Sequence, residues 1–220
     1  MLTLVIGNKN YSSWSMRPWI AMKSAGLAFN EIRIPLDQPD SKTRILTHSP
    51  NGKVPCLIDD SGDGAPLHVW DSLAICEYVN EAYAQGRLWP AGARARAQAR
   101  SVSAEMHSGF AAVRTHLSMD IRSRKLDKGQ AALARLDVAG EVDRLRDIWR
   151  TALAQSGGPF LFGQFSIADA FFAPVVTRFA TYGVPLEAAL AAYSARVFEL
   201  PVMQEWVAAA RLETEVLEDH

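Results

Sequence analysis

The chain has 220 residues, 49% of them hydrophobic and 21% charged, with a formal net charge of -1. This balance excludes disordered and collagen-like proteins, and a chain of this length buries roughly 70% of the surface of its unfolded form, so its core needs neither metal nor disulfides. A net charge this close to zero gives no long-range attraction to phosphate backbones, so nucleic acid is not an expected partner.

The first part of the chain alternates between strand and helix patterns. The predicted order is strand, helix, strand, helix, strand, strand, helix, with strands at 2–6, 31–34, 54–58 and 67–70 and located helices at 15–25 and 72–83. The first two strands should run parallel because a helix joins them, whereas the Gly- and Asp-rich turn 60–66 favours an antiparallel hairpin. The pattern therefore predicts an α/β thioredoxin-like domain: a mixed four-stranded sheet with helices.

The rest of the chain is almost entirely helical in pattern. Helices are predicted near 93–120, 130–155, 167–181, 186–195 and 201–211. The segment SIAD at 166–169 predicts a capping box, in which Ser166 and Asp169 bond each other's amides. We therefore divide the chain into a thioredoxin-like domain at 1–83, a linker at 84–92 and an all-α helical bundle domain at 93–220.

Targeting and metal signals are missing from the sequence. No stretch approaches the ~18 apolar residues of a membrane span, and the run 1–7 has no basic leader, so we expect a cytoplasmic protein without a membrane partner. Cys56 and Cys76 are too few for a disulfide framework and too far apart for a CxxC pair. The five histidines show no metal-ligand spacing, so no metal is expected.

Three local patterns carry polar chemistry. YSSWSMR at 11–17 opens a helix directly after the first strand, where unpaired amides and a partial positive charge favour an anion. One serine there serves as an ordinary cap, but three leave spares. SPNGKVP at 49–55 opens the third strand, and its Pro55 indicates either a special, cis bond or an ordinary edge-strand turn. Asp71 and Ser72 begin a helix and either cap it or hold the charged ends of an amino acid.

In this order and spacing, the patterns resemble the glutathione transferase family over nearly the whole chain. The stretch 49–55 is similar to the family's Asn-Pro-x-Gly-Lys-Val-Pro, with Ser49 in place of Asn and Pro55 as the cis-proline. Asp71 and Ser72 resemble the family's acidic-Ser pair. The segment Leu-Trp-Pro at 88–90 and the capping box match as well.

The resemblance implies glutathione as the co-substrate and assigns its contacts. The backbone of Val54, next to Pro55, would hold the cysteinyl part, Asp71 and Ser72 the γ-glutamyl end, and Lys53 would lie near the glycine carboxylate. A homodimer is also implied, because relatives pair the first domain of one subunit with the helical domain of the other.

The catalytic residue is expected in the first loop, which is similar to the zeta-type Ser-Ser-Cys-Ser-x-Arg loop. The resemblance implies Ser12, with Ser13 nearly equivalent if the loop is shifted and Tyr11 as a third candidate. Trp14 replaces the zeta-type cysteine. Ionising a thiol at neutral pH needs a pKa shift of roughly two units, about 2.7 kcal/mol, which one hydrogen bond of roughly 1.5–3 kcal/mol and a helix terminus together provide.

A second substrate is expected between the domains. Trp14 and the helix carrying Met106, His107, Phe110 and Arg114 would face the thiol. The alternative is that Met106 and Phe110 form a core stripe and that His107 is a satisfied surface residue. The basic residues of 122–125 would attract an acidic substrate or form a solvated charge run.

The function these residues imply is transfer of glutathione to small hydrophobic electrophiles. A glutathione-dependent cis-trans isomerase similar to maleylacetoacetate isomerase stays open, although the missing loop cysteine disfavours it. A non-catalytic ligand-binding protein of the same fold is the alternative from another class. Thiol-disulfide exchange is disfavoured because residues 8–17 include no cysteine.

Overall fold

The computed structural model of the protein describes residues 1–217; the last three positions of the predicted helical domain lie outside the described residues. The strands are β1 (Leu2–Ile6), β2 (Asn30–Arg33), β3 (Cys56–Asp59) and β4 (Leu67–Trp70). The helices of the first part are α1 (Ser13–Ser24), α2 (Ser41–Leu46) and α3 (Ser72–Ala82). The second part contains α4 (Ala93–Ser108), α5 (Ala111–His116), α6 (Leu126–Leu133), α7 (Leu136–Ser156), α8 (Ile167–Tyr182), α9 (Ala188–Glu199) and α10 (Pro201–Leu212).

The four strands form one mixed sheet in the order β2-β1-β3-β4. β1 runs parallel to β2, with Val5 opposite Ile32, and antiparallel to β3, with Val5 opposite Cys56. β3 and β4 pair antiparallel as the predicted hairpin. The α/β first part and the helical second part confirm the predicted fold class.

The alternation of β1 side chains sends its residues to two cores. Leu4 and Ile6 join the main core with α1, α3 and the helical part. Val5 points to the other face and packs with Ile45 of α2 and Cys56. The sheet is therefore covered on both faces, and the end of β1 delivers the chain into the space between the sheet and the helical part.

Helix α8 is the centre of the helical part. Nearly all of its residues are buried, and it packs against α1 of the first part as well as against α4. The predicted capping box starts it: the Asp169 carboxylate accepts from the amide of Ser166 at 2.9 Å, and also from the Leu161 amide and the Tyr193 hydroxyl. These bonds tie the start of α8 to the preceding loop and to α9.

Two long predicted helices are interrupted in the structure. The predicted helix 93–120 ends at Ser108, since Gly109 is extended and Phe110 has left-handed backbone angles (φ 62°), and α5 starts anew at Ala111. The break is stabilised by Arg114, whose guanidinium donates to the last carbonyls of α4, including that of Gly109 at 2.9 Å.

The predicted helix 130–155 begins only at Leu136. The preceding residues belong to the separate helix α6, which ends at Leu133. Periodicity alone did not reveal either interruption, because the buried positions continue on both sides of the break. Within residues 1–217, no helix combines the length and the apolar character that crossing a membrane requires.

Candidate active site

The first loop places its serines at the N-terminus of α1. Ser12 is the N-cap: its Oγ accepts from the Ser15 amide at 3.3 Å and donates to the Ser15 Oγ at 2.8 Å. The Ser15 hydroxyl in turn accepts from the amide of Gly7, at the end of β1, at 3.1 Å. Ser12 and Ser15 therefore use their hydroxyls to hold the loop and helix together.

Ser13 has a different partner. Its Oγ accepts a hydrogen bond from Nη2 of Arg178, on the buried helix α8, at 3.2 Å. The other amino group of Arg178 donates to the carbonyl of Leu117 at 2.6 Å. In this bond the Ser13 hydroxyl acts only as an acceptor, so its own hydrogen is left to donate to a ligand.

A cavity of about 410 Å³ opens beside these serines and between the two parts of the chain. Its walls come from the serine loop, from the segment before β3, from α2 and from α5 and α8. The lining residues are Tyr11, Ser12, Ser13, Trp14, Leu36, Ile45, Gly52, Lys53, Val54, Arg114, Ser118, Met119 and Arg178. A volume of this size suits a small-molecule site.

Positive charge is concentrated around Trp14. The guanidinium carbons of Arg17 and Arg114 lie 4.3 Å and 4.7 Å from the centre of its ring. Arg17 is fully buried, and none of its guanidinium nitrogens has a hydrogen-bond partner among the described residues. Burial, followed by the charges of Arg114 and Arg178, holds the pKa of Arg17 well below its usual range.

Arg178 shares this electrostatic environment. Burial, followed by the positive charge of Arg114, lowers the pKa of Arg178 to about 9. The group remains charged at neutral pH. The cavity thus meets a strong positive potential at the point where Ser13 lies.

The Asp71–Ser72 pair does not line this cavity. Asp71 caps α3, with Oδ1 accepting from the Leu73 amide at 2.8 Å, while Oδ2 lies 3.2 Å from His107 Nε2. His107 packs edge-on against Trp14 with ring centres 5.2 Å apart. The Ser72 hydroxyl is buried and has no hydrogen-bond partner among the described residues, which suits a group that waits for a ligand.

The backbone at Asp71 and the protonation of His107 are both unusual. Asp71 has φ 77°, a left-handed angle that is uncommon outside glycine and clusters at functional sites. Burial, the largest influence, lowers the pKa of His107, and the neighbouring Asp71 carboxylate only partly offsets this effect. At neutral pH the imidazole is therefore mainly uncharged.

Lys53 and Val54, which precede Pro55, line the cavity as well. The Val54–Pro55 peptide bond is cis, as the resemblance implies. Lys53 is exposed and Val54 half-buried at the cavity, whereas Pro55 is buried beneath them. The amide of Lys53 donates to the Asn51 side chain at 2.9 Å, which fixes the turn before β3.

The residues predicted for the second-substrate pocket separate into two groups. Trp14 and Arg114 line the cavity. Met106 and Phe110 are instead buried in the main core, and His107 contacts the Trp14 ring without lining the cavity. The break between α4 and α5 explains the difference, because it turns the end of α4 inward. The assignment of these three residues to a substrate pocket stays a prediction.

Tyr11, the third catalytic candidate, lines the cavity and accepts from Arg122 Nη2 at 3.1 Å through its hydroxyl.

Both cysteines are buried and reduced, and burial raises the pKa of each thiol, which disfavours a redox role. Among residues 1–217, no three His, Cys, Asp or Glu side chains are grouped so that they could hold a metal ion.

Sequence reasoning missed Arg178 as a site residue, along with the apolar wall of Leu36, Ile45 and Met119. One signal was available for Arg178: it is a lone charged residue within the apolar run of α8, and such a residue is rarely buried without a purpose. No comparable signal marks the apolar wall.

Comparison with known proteins agrees with this geometry. Residues 11–82 match the glutathione S-transferase N-terminal domain, and residues 91–209 match the glutathione S-transferase C-terminal domain. Glutathione S-transferase-like protein OpS6 of Beauveria bassiana is 28% identical over 71% of this chain and 72% of its own. Glutathione S-transferase GstB of Escherichia coli is 32% identical over 39% of this chain and 44% of its own.

Among solved structures, a glutathione transferase homologue from Burkholderia, crystallised with bound glutathione, is 25% identical. It superimposes with a TM-score of 0.68, covering 96% of this chain and 98% of that one. Both family models match in their expected order and together span most of the described residues. The chain belongs to the glutathione S-transferase family.

Proposed function

We propose that this protein is a glutathione transferase in which Ser13 activates the thiol of glutathione for attack on a small electrophile. The observation that carries the proposal is the hydrogen bond from buried Arg178 to the Ser13 Oγ at the wall of the cavity. Glutathione would supply the nucleophilic sulfur. Two residues that the family resemblance assigns to glutathione support this choice: Val54 lines the cavity, and the Ser72 hydroxyl, which lies outside the cavity lining, has no hydrogen-bond partner among the described residues.

Ser13 is favoured over Ser12 by the way each hydroxyl is used. Ser12 donates its hydrogen to Ser15 and so has none to offer a sulfur anion. Ser13 receives a bond from a cation, which draws electron density from its oxygen and strengthens the bond that it donates. A bond to an anion of roughly 1.5–3 kcal/mol, with a small addition from the terminus of α1, is sufficient to keep the thiol ionised at neutral pH.

The proposal is tested by substituting Ser13→Ala and Ser12→Ala separately and titrating the thiolate absorbance of bound glutathione. S13A should raise the thiol pKa by about one to two units and lower kcat/KM about 10- to 100-fold, since one hydrogen bond to the anion is lost. S12A should leave the thiol pKa in place and instead cost about 0.5–2 kcal/mol of folding stability, as expected for an N-cap.

Other results would contradict the assignment. A thiol pKa that rises in S12A but not in S13A would place the sulfur on Ser12, and a rise only in Tyr11→Phe would place it on the phenol. Calorimetry that detects no saturable glutathione binding up to millimolar concentration would favour a non-catalytic ligand-binding member of the family. Turnover of maleylacetoacetate in preference to chlorinated nitroaromatics would favour the isomerase.

Family membership supports three further parts of the proposal: a homodimer, a cytoplasmic location and a role in detoxification. Sedimentation at micromolar concentration tests the dimer, and a monomer there would contradict it.

A further inference from the structure

The cavity has a one-sided charge. Three of its lining residues, Lys53, Arg114 and Arg178, are cationic, and none of the described lining residues is Asp or Glu. Arg178 is 5% exposed, so its charge acts within a low-dielectric wall, where it is screened little by salt. Such a wall attracts anions.

Arg114 and Arg178 are not neutralised by ion pairs. Among the described residues, the hydrogen-bond partners of both guanidiniums are neutral: backbone carbonyls for each, and in addition the Ser13 hydroxyl for Arg178. The nearest acidic influence on Arg114 is Glu141, whose carboxylate accepts from the Val113 amide at 2.8 Å instead. Burial lowers the pKa of Arg114 despite that acid.

A buried cation without a counterion is costly, and an anion that enters the site recovers part of the cost. Both amino groups of Arg178 already donate hydrogen bonds. One donates to the carbonyls of Leu117 and Arg114, and the other donates to the Ser13 hydroxyl, where the sulfur is proposed to bind. Arg114 makes no hydrogen bond to the described residues through Nη1, and its guanidinium carbon lies 4.7 Å from the centre of the Trp14 ring. Arg114 is therefore the cation available to a second anion.

We propose that the electrophile carries a carboxylate, held by Arg114, on a compact apolar body that lies against Trp14 and Met119. A carboxylate oxygen can accept a charge-assisted hydrogen bond from Nη1 of Arg114, and the apolar wall accepts the body of the molecule. The inference rests on the proposed transferase function and names its substrate class. It departs from the neutral hydrophobic electrophile that the sequence leads one to expect.

A matched pair of electrophiles tests the inference: 4-chloro-3-nitrobenzoate and 4-chloro-3-nitrobenzamide, which differ only in the charge of one group. In each reaction a C–S bond forms, the C–Cl bond breaks, chloride leaves with the bonding electrons and the thiol proton passes to solvent. Each kcat/KM is divided by the uncatalysed rate constant with glutathione in the same buffer. The wild-type protein should favour the benzoate by about tenfold or more, the value expected of one charge-assisted bond.

Arg114→Gln should reduce that preference to within about twofold, while Arg114→Lys should retain part of it because the charge remains. Arg94→Gln is the matched control, since Arg94 is an exposed arginine outside the cavity, and it should leave the preference unchanged. Urea unfolding of each variant accounts for any loss of the α4 cap. A preference that survives in R114Q, or equal corrected rates for the two compounds in the wild type, would overturn the inference but leave the transferase function standing.

Binding measurements distinguish failure of the proposed transferase function from failure of the proposed carboxylate site at Arg114. The unreactive analogue 4-methyl-3-nitrobenzoate should bind the wild-type protein at least about tenfold more tightly than its amide in calorimetry, and R114Q should abolish the difference. If neither chloro compound is turned over but this difference is seen, the transferase proposal fails and the anion site stands. If the analogue and its amide bind equally, the anion site is refuted whatever the rates.

Discussion

Arg178 reaches the serine loop from the buried helix α8, and this contact distinguishes Ser13 from its neighbours. We expect Arg178→Met to raise the thiol pKa of bound glutathione by about one unit, because the Ser13 hydroxyl loses the cation that strengthens its donated bond. The measurement is the same thiolate titration. In the S13A background, Arg178→Met should change the thiol pKa little further, since Arg178 acts on the sulfur through the Ser13 hydroxyl.

A shift of the same size in both backgrounds would show instead that Arg178 stabilises the sulfur directly. Arg178→Lys serves as the conservative variant. If the bond to Ser13 is what lowers the thiol pKa, a lysine in this position should keep that pKa closer to the wild-type value than Arg178→Met does. Because Arg178 also donates to Leu117, the folding stability of each variant is measured alongside the titration.

At the scale of elements, α6 and α8 approach each other so closely that only a glycine fits between them. A Cβ on Gly129 of α6 would stand 2.0 Å from the backbone carbonyl oxygen of Tyr182 at the end of α8. We expect Gly129→Ala to lower the free energy of unfolding by about 1–3 kcal/mol, because a backbone contact can be relieved only by moving a helix. Urea unfolding monitored by circular dichroism measures this loss.

The control lies on the next helix. Gly140, on the exposed side of α7, has no atom within 4 Å of the position that a Cβ would take. Gly140→Ala should therefore stabilise the protein by about 0.5–1 kcal/mol through helix propensity alone. If G129A were as stable as G140A, the close approach of α6 and α8 would not exist in solution.

At the scale of the whole molecule, the segment after α10 returns to the loop that precedes Ser12 and Ser13. The Glu213 carboxylate accepts from the amides of Lys9 at 2.7 Å and Asn10 at 3.0 Å, and its side chain is 6% exposed. Glu213→Gln places an amide nitrogen against one of these donors. We expect a loss of about 1–3 kcal/mol in unfolding free energy, and a lower kcat because the serine loop is held less firmly.

Glu199→Gln provides the comparison, since Glu199 forms only an exposed pair with Arg196 at 3.9 Å and should change stability by less than about 0.5 kcal/mol. Urea unfolding and steady-state kinetics on both variants test the expectation. Full stability in E213Q would mean that the end of the chain does not anchor the loop.

The family resemblance implied the cis bond at Pro55, which the local pattern left open against an ordinary turn. The sequence by itself determined the order of the elements in the first part, the mixed sheet and the capping box at Ser166 and Asp169. These features are local: each depends on backbone preferences or on side chains a few residues apart, so each leaves a readable pattern. The same local signals narrowed the candidate hydroxyls to the residues of one loop. They could not choose among them, because every serine at a helix start has the same local chemistry.

Only the tertiary structure decided that the Ser12 hydroxyl bonds within its own loop and that the Ser13 hydroxyl accepts a bond from a cation. Arg178 lies 165 residues from Ser13, and no spacing rule connects them. The turn after Gly109 was equally hidden, and it buries Met106 and Phe110 in the core while leaving Arg114 at the cavity. Burial and long-range partners set the charge and the available hydrogen of a side chain, and both are properties of the packed molecule.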